Sequence, residues 1–151
     1  MSPYFASLRA RLGHDPLLLP TVAVLPADDD GRILLVRHAY SGQWATLGGA
    51  IEPDEPPVVA ALREVREEAG VTVEITELLD SLGGPEYRVT YPNGDECACV
   101  VSVYAARIVD GTPEPDSDEV TEVGWFTRDE ISELDLNPLN EALLRTVLSR
   151  A

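Results

Sequence analysis

Three glutamates, Glu64, Glu67 and Glu68, stand at i, i+3 and i+4 in the run LREVREEAGV. If this run is helical, its 100° per residue places the three carboxylates on one arc about 100° wide. The apolar residues Val58, Leu62, Val65 and Ala69 recur at steps of four, three and four. They predict a second stripe roughly 60° wide, turned toward a core and free of the glutamates. Three neighbouring carboxylates repel one another, and they sit near the helix C-terminus, where the macrodipole disfavours negative charge. Two readings follow. One is a solvated acidic face with intrahelical pairs to Arg63 and Arg66. The other is a site for a hard cation: clustered carboxylate oxygens suit Mg²⁺, Mn²⁺ or Ca²⁺ better than zinc or copper.

The elements that must position this helix can be read from the rest of the chain. Pro53, Pro56 and Pro57 break any regular structure before Val58, and Gly70 ends the helix after Ala69. Upstream, Thr21–Leu25 and Arg32–Val36 read as strands joined in a hairpin by Asp28–Gly31, and a short strand is expected around Ala50–Glu52. Downstream, Val71–Leu79, Tyr87–Tyr91, Glu96–Val109 and Glu122–Phe126 are strand-like, with a turn at Pro92–Asp95. Arg128–Leu134 and Pro138–Arg150 read as helices, the second capped by Asn137. Residues 1–16 form a helical extension, with Ser2 as cap and Pro3 in the first turn. The pattern predicts one α+β domain over residues 1–151, with helices on the faces of a mixed sheet.

Composition narrows the function classes. The chain has 151 residues and a net charge of -16, and every one of its eleven basic residues is arginine. Such a surface repels phosphate polymers, so no binding to bulk DNA or RNA is expected. No apolar stretch approaches the roughly 20 residues of a membrane helix, and no leader is evident, so a cytoplasmic location is expected. Cys97 and Cys99 lack a second ligand pair for zinc and read as small core residues. His14 and His38 have no metal-ligand spacing, and no serine or cysteine nucleophile constellation is present.

The segment GGAIEPDEPPVVAALREVREEAGV, Gly48 to Val71, resembles the Nudix box: Gly, five residues, Glu, seven residues, then Arg-Glu-U-x-Glu-Glu-x-Gly-U with U aliphatic. Gly49, Glu55, Arg63, Glu64, Val65, Glu67, Glu68, Gly70 and Val71 fill every fixed position. Two neighbours depart from the usual pattern: Leu47 replaces a proline, and Asp54 a glycine.

The resemblance implies a Nudix-type α/β/α sandwich that hydrolyses a diphosphate anhydride with Mg²⁺ or Mn²⁺. By resemblance, Glu67 and Glu68 are metal ligands. Glu64 is a further ligand or the base, and Arg63 orients a glutamate. Glu55 supports the loop, and Gly49 offers a carbonyl to the metal. Glu119 resembles a late-loop glutamate used by some members as an extra ligand. The expected substrate is a small nucleotide-like molecule, its base stacked on an aromatic such as Trp44, Tyr87 or Tyr91; Trp125 is a further choice. Pro85 and Tyr87 match hints for ADP-ribose and for dinucleoside polyphosphates respectively, so they conflict. An ADP-ribose-like nucleoside diphosphate derivative is favoured. The alternatives are a nucleoside triphosphate or dinucleoside polyphosphate, a non-catalytic nucleotide sensor, or an isomerase needing a cysteine acid. A homodimer is left open.

Overall fold

The computed structural model describes residues 2–150; Met1 and Ala151, the ends of the expected domain range, lie outside the described residues. The chain runs α1 (Pro3–Leu12), β1 (Leu17–Pro26), β2 (Ile33–His38), β3 (Trp44–Ala45), β4 (Leu47–Ala50), α2 (Pro57–Ala69), β5 (Thr72–Leu82), a 3₁₀ turn (Pro85–Tyr87), β6 (Arg88–Thr90), β7 (Glu96–Asp110), β8 (Val120–Phe126), α3 (Arg128–Ile131) and α4 (Pro138–Leu148). No helix among the described residues is long and apolar enough to cross a membrane.

The strands form two sheets. One is mixed, in the order β4-β1-β7-β5, with β6 also on β7; the other is antiparallel, β3-β2-β8. This corrects the expected hairpin. The turn itself forms: the Asp28 amide donates to the Arg32 carbonyl at 3.0 Å, and Asp28 Oδ1 accepts from the Arg32 and Asp30 amides. Beyond a single bridge, Ala27 with Ile33, the two strands part. Both edges of β1 are already taken, by β4 on one side and by parallel pairing to β7 on the other. β2 therefore finds its partners in the second sheet. The short strand expected at Ala50–Glu52 lies earlier, at Leu47–Ala50, as the antiparallel partner of β1.

Alternating residues divide each inner strand between two cores. Val22 and Val24 of β1 and Leu34 and Val36 of β2 pack with α2. Ala23 and Leu25, with Ile33 and Leu35, pack with α4, together with Cys97, Cys99 and Tyr87. The result is one helix on each face of the paired sheets, an α+β sandwich with a mixed sheet, as the resemblance implies.

The buried face of α2 differs from the predicted stripe. Val65 and Ala69 are fully buried, but Val58 is exposed and Leu62 only half-buried; Ala60, Ala61 and Glu68 take their place. The inner face is turned by roughly 60° toward the glutamates, at 100° per residue. Two small alanines let the helix seat closely on the sheets, and one carboxylate goes in with them.

Candidate active site

The loop before α2 is built around Glu55. Its amide donates to the Glu52 carbonyl at 3.1 Å, and its Oε1 accepts from the Glu52 amide at 3.1 Å. Closing this turn requires a left-handed residue, and Asp54 adopts φ +66°. Aspartate is among the non-glycine residues that tolerate that region, which explains how it stands where the box it resembles commonly has glycine.

Glu55 then receives Arg63 as a fork: Nε to Oε2 at 2.7 Å and NH2 to Oε1 at 2.9 Å. This pair holds the Glu55 carboxyl below its usual range and pushes the guanidinium pKa further up. Arg63 NH2 also donates to the Ala50 carbonyl at 3.1 Å. NH1 reaches Glu64 Oε1 at 2.9 Å and Glu67 at 3.3 Å. One guanidinium thus ties the loop, a strand end and two helix carboxylates together.

Glu68 lies deeper, 4% exposed. Its Oε1 accepts from the Gly48 amide at 2.8 Å. Gly48 has φ +154°, and a β-carbon there would sit 2.0 Å from the Val22 carbonyl oxygen, so only glycine fits. At Gly49 a β-carbon would come within 2.5 Å of the Glu64 carboxylate. The two glycines let the strand lie against the acidic helix.

Burial is the main force on both inner carboxylates. It pushes Glu64 up to about 7, against the opposing pull of Arg63, with Glu67 and Glu119 adding repulsion. It pushes Glu68 up to about 8, against the Gly48 hydrogen bond, with Glu64, Glu119 and Glu67 adding repulsion.

These side chains line an open cleft of about 770 Å³, with Arg66, Asp116, Ser117, Asp118 and Glu119 on its other parts. The acidic loop is docked there by α2 itself: the Glu114 and Asp116 amides cap the Ala69 and Glu68 carbonyls at 3.1 Å. Glu64, Glu67, Glu68 and Glu119 therefore meet in one cleft, and Gly49 abuts Glu64. Asp116 and Asp118 were not anticipated in it; the acidic run Asp116-Ser117-Asp118-Glu119 was the available signal.

The donor set fits a hard divalent cation. It consists of carboxylate oxygens, two of them held protonation-prone by burial and mutual repulsion, and Gly49 leaves their approach open. Among the described residues no three such groups already form a coordination shell; they turn instead onto Arg63 and the Gly48 amide.

The aromatics expected to stack a base are dispersed. Tyr87 is buried in the α4 core, so its ring faces are taken. Trp44 is half-buried, edge-to-face with Phe126 at 4.8 Å, and Trp125 is half-buried against the α2 core. Tyr91 keeps an exposed ring. Cys97 and Cys99 are buried in the α4-side core and do not line the cleft, so neither stands where an isomerase acid would act; burial pushes the Cys99 thiol up to about 11.

Comparison with known proteins agrees with this geometry. Residues 17–147 match the NUDIX domain model. The chain is 37% identical over 118 residues to a MutT-like protein of Streptomyces ambofaciens, covering 78% of this chain and 70% of that one. It is 33% identical over 107 residues to the nucleoside triphosphatase NudI of Enterobacter sp. (strain 638), covering 67% and 73% respectively. The structure of a MutT NUDIX hydrolase from Burkholderia pseudomallei superposes with a TM-score of 0.71 at 28% identity, over 88% of this chain and 98% of that one. A matched domain, a complete box and a shared fold together make this chain a member of the Nudix hydrolase family.

Proposed function

We propose that this Nudix hydrolase is an Mg²⁺- or Mn²⁺-dependent pyrophosphohydrolase that cleaves the diphosphate linkage of a nucleoside diphosphate derivative, ADP-ribose-like in character. The observation that carries this reading is the convergence of Glu64, Glu67, Glu68 and Glu119 on one cleft, with Arg63 bonded to Glu64 and Glu67. In this reading Glu67 and Glu68 would hold the cation, with Glu119 and the Gly49 carbonyl as further ligands. A divalent cation bound there would offset charge on the departing phosphate and make water a better nucleophile.

The remaining roles belong to the chain. Arg63, clamped by Glu55, fixes Glu64 through Oε1. Glu64 Oε2 is thereby left to serve as ligand or to take a proton from water. Glu55 touches no reacting atom and acts by positioning Arg63. A nucleoside triphosphate is the second reading, favoured by the relative named for that activity. A sensor that binds without turnover would not require all four box glutamates.

The test is phosphate release from a panel of nucleoside diphosphate sugars, dinucleoside polyphosphates and nucleoside triphosphates, with Mg²⁺ or Mn²⁺ and with EDTA. Turnover of a nucleoside diphosphate derivative, lost in EDTA and regained with excess metal, is expected. Undiminished turnover in EDTA refutes the metal assignment; preference for triphosphates selects the second reading, and binding without turnover selects the sensor.

A further inference from the structure

The two arginines of the cleft are in different situations. Arg63 has five N–H donors, and the protein takes all of them. Glu55 binds Nε and Nη2, the Ala50 carbonyl also binds Nη2, and Glu64 and Glu67 bind Nη1. Nothing on Arg63 is left for a ligand. Arg66 lines the same cleft and is exposed. Among the described residues its side chain makes one hydrogen bond, from Nη2 to the Thr72 hydroxyl at 3.2 Å. The other donors of its guanidinium are free of protein partners there.

That freedom runs against the surroundings. Glu64, Glu67, Glu68, Asp116, Asp118 and Glu119 all line the cleft, yet among the described residues no ion pair joins Arg66 to any of them. The intrahelical pair expected of Arg66 on an acidic face does not form; Glu67 turns to Arg63 instead, at 3.3 Å. The end of α2 accounts for this. Gly70 is left-handed, with φ 69° and ψ 18°, and its amide caps the Arg66 carbonyl at 3.0 Å. The chain reverses there and brings Thr72, at the start of β5, back alongside Arg66. A neutral hydroxyl thus steers the guanidinium without neutralising it.

We infer that Arg66 is a substrate-binding residue that holds a phosphoryl oxygen of the diphosphate, and that the Thr72 hydroxyl positions it. This rests on the proposed function and deepens it by naming a side chain for the anionic part of the substrate. A diphosphate entering a cleft lined by carboxylates meets repulsion, and a planar guanidinium with spare donors offsets it by direct contact. Arg66 occupies an open position of the box, between Val65 and Glu67, so the assignment belongs to this chain and does not come with the motif. A cation in the last helical turn also complements the macrodipole. That role would appear in the melting temperature and not in ligand affinity.

The test is equilibrium binding of methylenediphosphonate, a diphosphate analogue that resists hydrolysis. It is titrated calorimetrically, with saturating Mg²⁺, into the wild type, Arg66→Ala, Arg66→Lys, Thr72→Val and the double variant. Mg²⁺ alone is titrated into each, and folding is checked by melting temperature. Arg66→Ala should bind the diphosphonate about tenfold or more weakly, the scale of one hydrogen bond to a charged group. Arg66→Lys should recover only part of the loss, because an ammonium keeps the charge but not the fork. Thr72→Val should weaken binding about two- to fivefold and add nothing in the Arg66→Ala background. Mg²⁺ alone should bind Arg66→Ala no more weakly than the wild type, since a positive charge has left the cleft. With a hydrolysed substrate, Arg66→Ala should raise KM more than it lowers kcat. Unchanged diphosphonate affinity in Arg66→Ala overturns the inference, whatever its melting temperature. Weaker binding of Mg²⁺ itself in that variant also overturns it, by tracing the loss to a disturbed cleft. Full affinity in Arg66→Lys reduces the arginine to a charge, and unchanged binding in Thr72→Val removes the positioning role. Should Arg66→Ala fail to fold, Arg66→Gln takes its place. If no diphosphate is hydrolysed, the proposed function falls while the titration still reads Arg66.

Discussion

Helices α2 and α4 do the same structural task on opposite faces of the paired sheets, yet each carries a polar group inward and treats it differently. On α4, Asn140 is 6% exposed and its hydrogen bonds are met within the protein. Its Oδ1 accepts the Thr46 amide at 3.0 Å and the Thr46 hydroxyl at 2.9 Å, and its Nδ2 donates to Asn137 at 2.8 Å. On α2, Glu68 is buried to the same degree but has one amide, Gly48, and three carboxylate neighbours that repel it. The first is a neutral network that fastens helix to strand. The second is an electrostatic deficit held in place by the surrounding fold, which suits a group meant to meet something from outside.

Breaking the α2 side should produce the largest effect. Glu67→Gln and Glu68→Gln preserve shape and remove a charge. Initial rates at saturating Mg²⁺ should fall on the order of a hundredfold or more, about 2.7 kcal/mol of transition-state stabilisation. Melting of the metal-free variants should be unchanged or slightly higher, because repulsion is relieved. Sharply lower melting with normal rates would make the acidic face structural.

The α4 side should behave in reverse. Asn140→Ala leaves two buried Thr46 donors unpaired and should cost about 1–3 kcal/mol in urea unfolding. Metal-dependent turnover should persist wherever the variant remains folded. Loss of kcat without loss of stability would erase the contrast between the helices.

A third effect sharpens it through pH. Glu64 and Glu68 sit at about 7 and about 8 in the folded protein, above the ordinary value of 4.5. The native state therefore binds protons that the unfolded chain releases. Stability from these groups is full below about pH 4.5 and is lost as pH rises through 7 and 8. The metal-free melting temperature should drop by a few degrees between pH 6 and pH 8.5, an order-of-magnitude expectation for about 1 kcal/mol. Mg²⁺ should restore it at the higher pH, since it binds only the folded site. The same scan on Glu68→Gln should be flatter. A wild-type profile without slope would place these carboxylates in water.

The smallest change is Thr46→Val, which deletes one hydroxyl bond to Asn140 and spares the amide bond. A cost of about 0.5–1.5 kcal/mol and no change in KM are expected. An effect on KM would connect the α4 network to the cleft.

The cluster was legible because its information is local. Fixed steps of three and four along one helix determine that Glu64, Glu67 and Glu68 share a side, and the box residues all lie within one segment, Gly49 to Val71. The burial of Glu68 was not legible, because the amide that receives it belongs to Gly48, twenty positions earlier on another element. Apolar periodicity put Val58 inside; tertiary packing put Ala60 and Ala61 there instead. The Asp28–Gly31 turn was readable from turn chemistry, but the choice of sheet for β2 depended on β7 occupying the neighbouring edge of β1.

The parallel pairing of β1 with β7 also sets a timetable for folding. Leu17 meets Cys97, Pro26 meets Ala106, and every pair between them is 80 positions apart. All of α2 and both of the glycines beneath it lie inside that loop. The β1 ladder can close only once β7 has been made, and a loop this long must give up its entropy before the ladder repays it. During synthesis the residues of the acidic helix are made well before the strand that completes the arrangement burying Glu68. Until the ladder closes, the carboxylates are hydrated and far enough from the sheet to repel one another weakly. The strained electrostatics of the site are thus imposed in the closing step, by a ladder of backbone hydrogen bonds remote from any reacting atom.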